Sequence, residues 1–196
     1  MQKKKKVFVL LGHPDWDSFC GYLASRYEEG AREAGHEVER LNIGELQFDS
    51  VLYKGYRVIQ ELEPDLKNVQ EKIKWADHIV VFYPNWWSTM PSILKGMFDR
   101  MFLPGFAFQM NKGSRLGTWK RLLSGRTGRI VITMDGRPLL VRIFIGDYSN
   151  EIRRGIFWFA GIWPTRVTSI GPIPQIGPEE RTEWGNKMAE MGRRAR

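Results

Sequence analysis

Two hydrophobic periods divide the chain. Residues 7–11 (VFVLL), 79–82 (IVVF) and 129–134 (RIVITM) are nearly unbroken apolar runs. Such runs predict strands covered on both faces. Residues 37–43 and 166–170 alternate polar with apolar, which predicts half-covered strands. Between these strands the period lengthens. Phe19, Leu23, Tyr27, Ala31 and Ala34 share one helical face, with Asp17 or Ser18 as the cap and Gly35 as the stop. Residues 66–75 predict a second helix. Ile93, Leu94, Met97, Phe98, Met101 and Phe102 form the apolar face of a third, with Lys95 and Asp99 on the opposite side. Pro91 suits its first position. Residues 150–159 and 178–193 predict two more helices. Residues 109–128 read as a basic, Gly-rich loop with a short helix. Residues 44–64 are irregular and partly aromatic, and read as an arm packing on a partner subunit.

Strands alternating with helices imply a parallel sheet covered on both faces. The unbroken strands belong at the centre and the alternating ones at the edges. The order 2-1-3-4-5 satisfies this with right-handed crossovers. The winding then reverses between strands one and three, and ligands bind outside the carboxyl ends of strands at such a reversal. Residues 12–18, 84–90 and 133–136 are the loops there. The middle loop carries Asn85, Trp86, Trp87 and Ser88. Adjacent tryptophans in a turn have two readings: a cap on the core, or a flat apolar wall for a planar ligand. With no repeat and no linker, residues 1–196 form one domain, of which residues 1–6 are a basic tail.

Motif chemistry narrows the ligand. No G-x-G-x-x-G follows the first strand and no G-x-x-x-x-G-K-[ST] occurs, so neither Rossmann dinucleotide binding nor nucleoside-triphosphate hydrolysis is expected. Ser18 opens a helix whose free N–H groups can bind phosphate; ordinary capping accounts for it equally. Asp17 is compatible with a phosphate only if it caps the helix and points away. His13 ends strand one, facing the expected site, and is either structural or part of that site. His36 and His78 lie at the opposite end of the sheet as bystanders, so no metal cluster is expected. Cys20, the single cysteine, reads as buried rather than catalytic. It excludes an internal disulfide and suits a reducing cytoplasm. No apolar run approaches the roughly 20 residues of a membrane span, and residues 7–11 are too short for a signal-peptide core. The net charge is +8, and residues 100–134 hold seven basic and no acidic residues. This is either a solvated face or an attraction for nucleotide phosphates, anionic lipid or nucleic acid; no nucleic-acid recognition motif is visible.

The block Tyr83-Pro84-x-Trp86-Trp87-Ser88-x-x-Pro91-x-x-Leu94-Lys95-Gly96-x-x-Asp99-Arg100, followed by Pro104-Gly105-Phe106-Ala107-Phe108, resembles the signature of the flavodoxin-like NAD(P)H:quinone oxidoreductases. The resemblance implies a flavodoxin-like fold and a flavin, FAD ahead of FMN. It also implies NAD(P)H as co-substrate and two-electron, ping-pong reduction of quinones or similar flat acceptors in the cytoplasm. His13, Asp17, Ser18, Phe19 and Cys20 match the family's first flavin loop, where the histidine and serine approach the phosphates; relatives often carry asparagine at the position of Cys20. Pro84, Asn85, Trp86, Trp87 and Ser88 match the loop bordering the isoalloxazine ring. Thr133, Met134, Asp135 and Gly136 resemble the third loop, often Thr-Thr-Gly-Gly, and Arg181 matches an arginine near the adenine of FAD. Vertebrate members place a tyrosine and a histidine after the third loop. Residues 139–145 (LLVRIFI) contain neither, which leaves Arg137 and Arg142 to stabilise negative charge. The candidates for catalysis are therefore Trp87, which lies beside the ring in relatives, and Gly136 and Arg137, which could stabilise charge at the flavin edge.

A homodimer is also expected. Gly96 costs a helix about 1 kcal/mol relative to alanine, and close approach of another backbone would justify it, from a partner near this helix or from within the subunit. A second function stays open: a flavin-bearing regulatory subunit docked on a membrane transporter through residues 100–134.

Overall fold

The computed structural model describes residues 3–111, 113 and 117–196. Five parallel strands form the sheet: β1 (Lys6–Leu11), β2 (Glu37–Asn42), β3 (His78–Pro84), β6 (Thr127–Thr133) and β7 (Thr165–Ile170). Their order is β2-β1-β3-β6-β7, the expected 2-1-3-4-5 of a flavodoxin-like fold. The covering helices are α1 (Phe19–Glu33), α2 (Pro64–Trp75), α3 (Ser92–Met101), α4 (Pro138–Phe144) and α5 (Pro178–Arg194). A π-helix, Glu151–Trp158, runs between α4 and β7.

Alternation along the central strands splits the core into two layers. Phe8, Leu10, Ile79, Val81, Ile130 and Ile132 meet α2, α3 and the π-helix on one face. Val7, Val9, Leu11, Val80, Phe82 and Val131 meet α1 and α5 on the other. The two helices of the second layer touch backbone to backbone. A Cβ on Gly30 would lie 1.9 Å from the Ala189 carbonyl oxygen, so only glycine permits that crossing.

One expectation is corrected and two are narrowed. Residues 109–128 hold no short helix among those described; they contain β4 (Phe108–Met110) paired antiparallel with β5 (Trp119–Arg121), and residues 112 and 114–116 lie outside the described part. Aromatic packing draws this ribbon down, because Trp119 stacks on Phe159 at 4.4 Å and donates its indole N–H to the Phe159 carbonyl at 2.9 Å. Residues 44–64 meet α3 of their own chain. Buried Arg100 of α3 makes two bonds to the Glu63 carboxylate, at 2.9 and 3.1 Å. It also donates to the carbonyls of Glu61, at 2.7 Å, and of Asp49. The close neighbour of Gly96 is therefore Ser50 of the same chain, whose carbonyl oxygen would sit 2.5 Å from an added Cβ. That glycine no longer argues for a partner. Finally, among the described residues of the basic stretch, Arg100 and Arg129 are buried, and Arg126 turns back onto the Ile73 and Lys74 carbonyls.

Candidate functional site

The carboxyl ends of β1, β3 and β6 open on a cleft of about 430 Å³. Its floor follows from the strand order. β1 and β3 feed crossovers to opposite faces of the sheet, so their loops diverge and leave a crevice. From the first loop come His13, Ser18, Phe19 and Cys20; from the second, Pro84, Asn85, Trp86, Trp87 and Ser88; from the third, Thr133, Met134, Asp135 and Gly136.

Each loop is held by its own bonds. Ser18 is the N-cap of α1, accepting from the Gly21 N–H at 3.2 Å. His13 accepts the Asp15 N–H at Nδ1, 2.9 Å away, so its neutral ring carries the proton on Nε2. Partial burial lowers the His13 pKa, against the opposing pull of Asp15, and keeps the ring neutral at pH 7. Cys20 is buried with its sulfur 3.0 Å from the Thr133 hydroxyl. Burial pushes the thiol up to about 12, which makes it an inert packing group.

The second loop is a tight turn. Trp86 and Thr89 exchange both backbone bonds, at 2.9 and 3.1 Å. Trp87 and Ser88 between them have φ of 52° and 64°, the left-handed pattern of a type I′ turn. Neither residue is glycine, and the left-handed region costs an L-residue about 1–2 kcal/mol. The fold accepts that cost at a loop whose Trp87 side chain is 99% exposed, which favours a wall over a core cap. Trp86 packs edge-on against His13 at 5.7 Å. Thr89 donates to Glu151 at the start of the π-helix, fixing the turn from behind. Asn85 donates its N–H to the Thr133 carbonyl at 2.7 Å, while its side-chain oxygen is buried with no hydrogen-bond partner.

In the third loop the Met134 N–H is used by the Ile170 carbonyl at 3.0 Å. The N–H groups of Asp135 and Gly136 have no partner among the described residues. Three expected site residues stand outside the cleft. Arg137 is exposed at the N-cap of α4. Asp17 and Arg181 line a neighbouring cavity of about 530 Å³ that shares Ser18 and Phe19 with the cleft. There the Arg181 guanidinium sits 4.8 Å from the Phe19 ring centre. Sequence reasoning missed Val141, Ile145 and Ile173, which also line the cleft. The apolar run 139–145 carried a signal for the first two; Ile173 carried none.

Comparison with known proteins bears on the fold and the family. A family model described as the flavodoxin-like fold matches residues 5–191. The ribosyldihydronicotinamide dehydrogenase [quinone] of Rattus norvegicus is 36% identical over 210 residues, covering 94% of this chain and 87% of that protein. The ribosyldihydronicotinamide dehydrogenase-like protein traD of Penicillium crustosum is 27% identical; the match covers 67% of this chain, which spans only 58% of that protein. The crystal structure of Smu.1420 from Streptococcus mutans UA159 superposes with a TM-score of 0.81 at 26% identity, covering 96% of this chain and 98% of that one. The chain belongs to the flavodoxin-like family, in the branch whose members include the NAD(P)H dehydrogenases [quinone].

Proposed function

We propose that the chain is a flavin-dependent NAD(P)H:quinone oxidoreductase. The observation that carries the reading is the switch-point cleft, where a flat indole wall, an unpartnered buried Asn85 oxygen and two free backbone N–H groups converge. An apolar slot with a few fixed polar groups is what a planar heterocycle with donors and acceptors along its edge requires.

The donor set fits a flavin. Ser18 and the first N–H groups of α1 would hold its phosphate, in the field of the helix N-terminus. Trp86 and Trp87 would border the ring. Flavin supplies the hydride chemistry when bound, so the chain has to bind, orient and balance charge. The N–H groups of Asp135 and Gly136 would stabilise negative charge at the ring edge, with Arg137 adding its field from the lip. Neutral His13 donates from Nε2, and the unionised Cys20 thiol places no negative charge beside the phosphate. The second cavity, with Phe19 and Arg181 stacked in it, favours FAD over FMN because an adenine has a flat surface to lie on.

One cleft serves both substrates, so the nicotinamide must leave before the quinone enters, and double-replacement kinetics follow. Stopped-flow mixing of the purified protein with NADH or NADPH, followed by a quinone, tests this. Rapid reduction and reoxidation with parallel double-reciprocal lines are expected, and FAD should be released on denaturation. A colourless protein that also refuses added flavin would sink the reading.

A further inference from the structure

The amino ends of the five parallel strands lie at the end of the molecule opposite the cleft. Cations from three segments gather there. Lys3, Lys4 and Lys5 lead into β1, Arg166 stands second in β7, and the last turn of α5 supplies Arg193 and Arg194. Hydrogen bonds tie these segments together. Lys5 donates from Nζ to the Ala195 carbonyl at 2.7 Å, and its N–H donates to Nδ1 of His36 at 3.1 Å. The Nε2 of that ring donates in turn to the Arg193 carbonyl at 3.0 Å. Buried Arg129 donates to the Thr168 hydroxyl at 3.0 Å and to an oxygen of Arg196. It faces Arg166 across the strand register, a like-charge pair that disfavours the pairing.

The carboxylates of this end leave most of that charge unbalanced. Glu33 and Glu190 already pair with Arg193, and Glu190 with Arg194 as well. Asp77 accepts the Lys6 N–H at 2.9 Å, and Glu37 lies beside Lys6 in the register. Among the described residues Lys3, Lys4, Lys5 and Arg166 join no ion pair. Burial first lowers the Lys5 pKa; Asp77 opposes this, and Arg166 and Lys3 add to the lowering, as crowded cations do. Lys3, Lys4 and Arg166 are exposed. So is Trp163, at 48%, just before β7, where its N–H donates to the Arg126 carbonyl at 2.9 Å.

We infer that this cationic end docks on an anionic phospholipid surface, with the cleft turned towards the aqueous phase. Lipid headgroups form a diffuse layer of negative charge. Exposed lysines, as point charges on flexible stems, meet such a layer without fixed geometry. Trp163 suits the boundary between headgroups and acyl chains, with an apolar body and one polar N–H. The net charge of +8 acts in the same direction. No helix among the described residues is long and apolar enough to cross a membrane, so the contact is superficial. A second copy of the chain fits this end less well, because two-fold pairing would set cations against cations. The inference is independent of the function proposed above.

Co-sedimentation of the purified holoprotein with vesicles of phosphatidylcholine alone, or of phosphatidylcholine with phosphatidylglycerol, tests it. Binding is expected to the anionic vesicles only, and to fall steeply with added salt. Arg166→Gln should weaken it about fivefold, and Lys3→Gln combined with Lys4→Gln about tenfold or more. Exposed Lys67, near the start of α2, lies towards the cleft end. Lys67→Gln removes the same charge as Arg166→Gln and should leave binding unchanged, which separates position from net charge. Circular dichroism and the melting temperature should show every variant folded. No binding to anionic vesicles at low salt would overturn the docking. Equal weakening by Lys67→Gln and Arg166→Gln would overturn its assignment to this end. Binding to a DNA duplex at a salt concentration where the anionic vesicles are ignored would assign the end to nucleic acid instead. None of these readouts uses flavin or turnover, so failure of the quinone reading would leave the docking in place.

Discussion

At the scale of single residues, two positions combine an unusual state with a clear consequence. Trp87 is left-handed and wholly exposed, so its side chain contributes nothing to the core. Asparagine tolerates that backbone better. Trp87→Asn should leave the melting temperature unchanged or slightly raised, yet weaken flavin retention or raise the quinone KM severalfold, since aromatic stacking is worth about 1 kcal/mol. Equilibrium dialysis and steady-state kinetics read this, and a destabilised variant with intact kinetics would return Trp87 to a structural role. His78 is the second position. It is fully buried, donates or accepts at Nδ1 with the Thr127 hydroxyl 2.7 Å away, and leaves Nε2 without a partner. Desolvation first, then Lys5, Arg129, His36 and Arg166, lower its pKa from 6.5 to about 3. A group held neutral in the fold protonates on unfolding, so its stabilisation is complete above pH 6.5 and declines as pH falls towards 3. The slope is about 1.4 kcal/mol per pH unit in that window. His78→Asn should flatten the pH dependence of the urea midpoint between pH 6.5 and 4, and an unchanged profile would contradict the assignment. The location of His78, away from the site, was legible from its place at the start of a strand. Its burial near four basic groups was not, because Lys5, His36, Arg129 and Arg166 come from four separate segments.

At the scale of elements, the contact between residues 44–64 and α3 matters most. Arg100 has no exposed side-chain surface, and its ion pair with Glu63 is reinforced by two carbonyls of the same segment. Burial alone would raise the Glu63 pKa, but hydrogen bonds, including those from Arg100 and the Asp49 N–H, lower it. Removing one member of a buried pair costs about 3–5 kcal/mol, because the partner groups are left desolvated. Arg100→Met is therefore expected to lose a stability of that order in urea titrations. Hydrogen exchange should quicken first in residues 44–64; uniform quickening throughout the chain would speak against a local clamp. The signature block displays Gly96 and Arg100 one helical turn apart. Both reach the irregular segment, and a segment without periodicity gives no sign of where it folds back.

At the scale of the whole molecule, an apolar surface remains on that segment. Val51, Tyr53, Tyr56, Val58 and Ile59 are exposed, Ile59 to 92%, beside a cavity of about 350 Å³ floored by Leu103 and Pro104. We propose that this surface pairs two copies of the chain. Light scattering should give about twice 22.9 kDa, and Ile59→Asp should shift the protein towards the single mass. A single mass for the unmodified protein at micromolar concentration would refute the dimer.

The sequence alone determined the strand order and the position of the cleft. Unbroken and alternating apolar runs separate central from edge strands, and strand order decides where the winding reverses. The three loops of the cleft lie next to strand ends, so their residues were legible by position. Tertiary structure decided what depends on distant segments meeting. It placed Ser50 against Gly96, enclosed Arg100 and Arg129, and drew β4 and β5 down onto Phe159. It set Asp17 and Arg181 in a second cavity instead of the cleft, and exposed the apolar face of α4. Periodicity records which face of an element is apolar; only packing decides whether another part of the chain covers it.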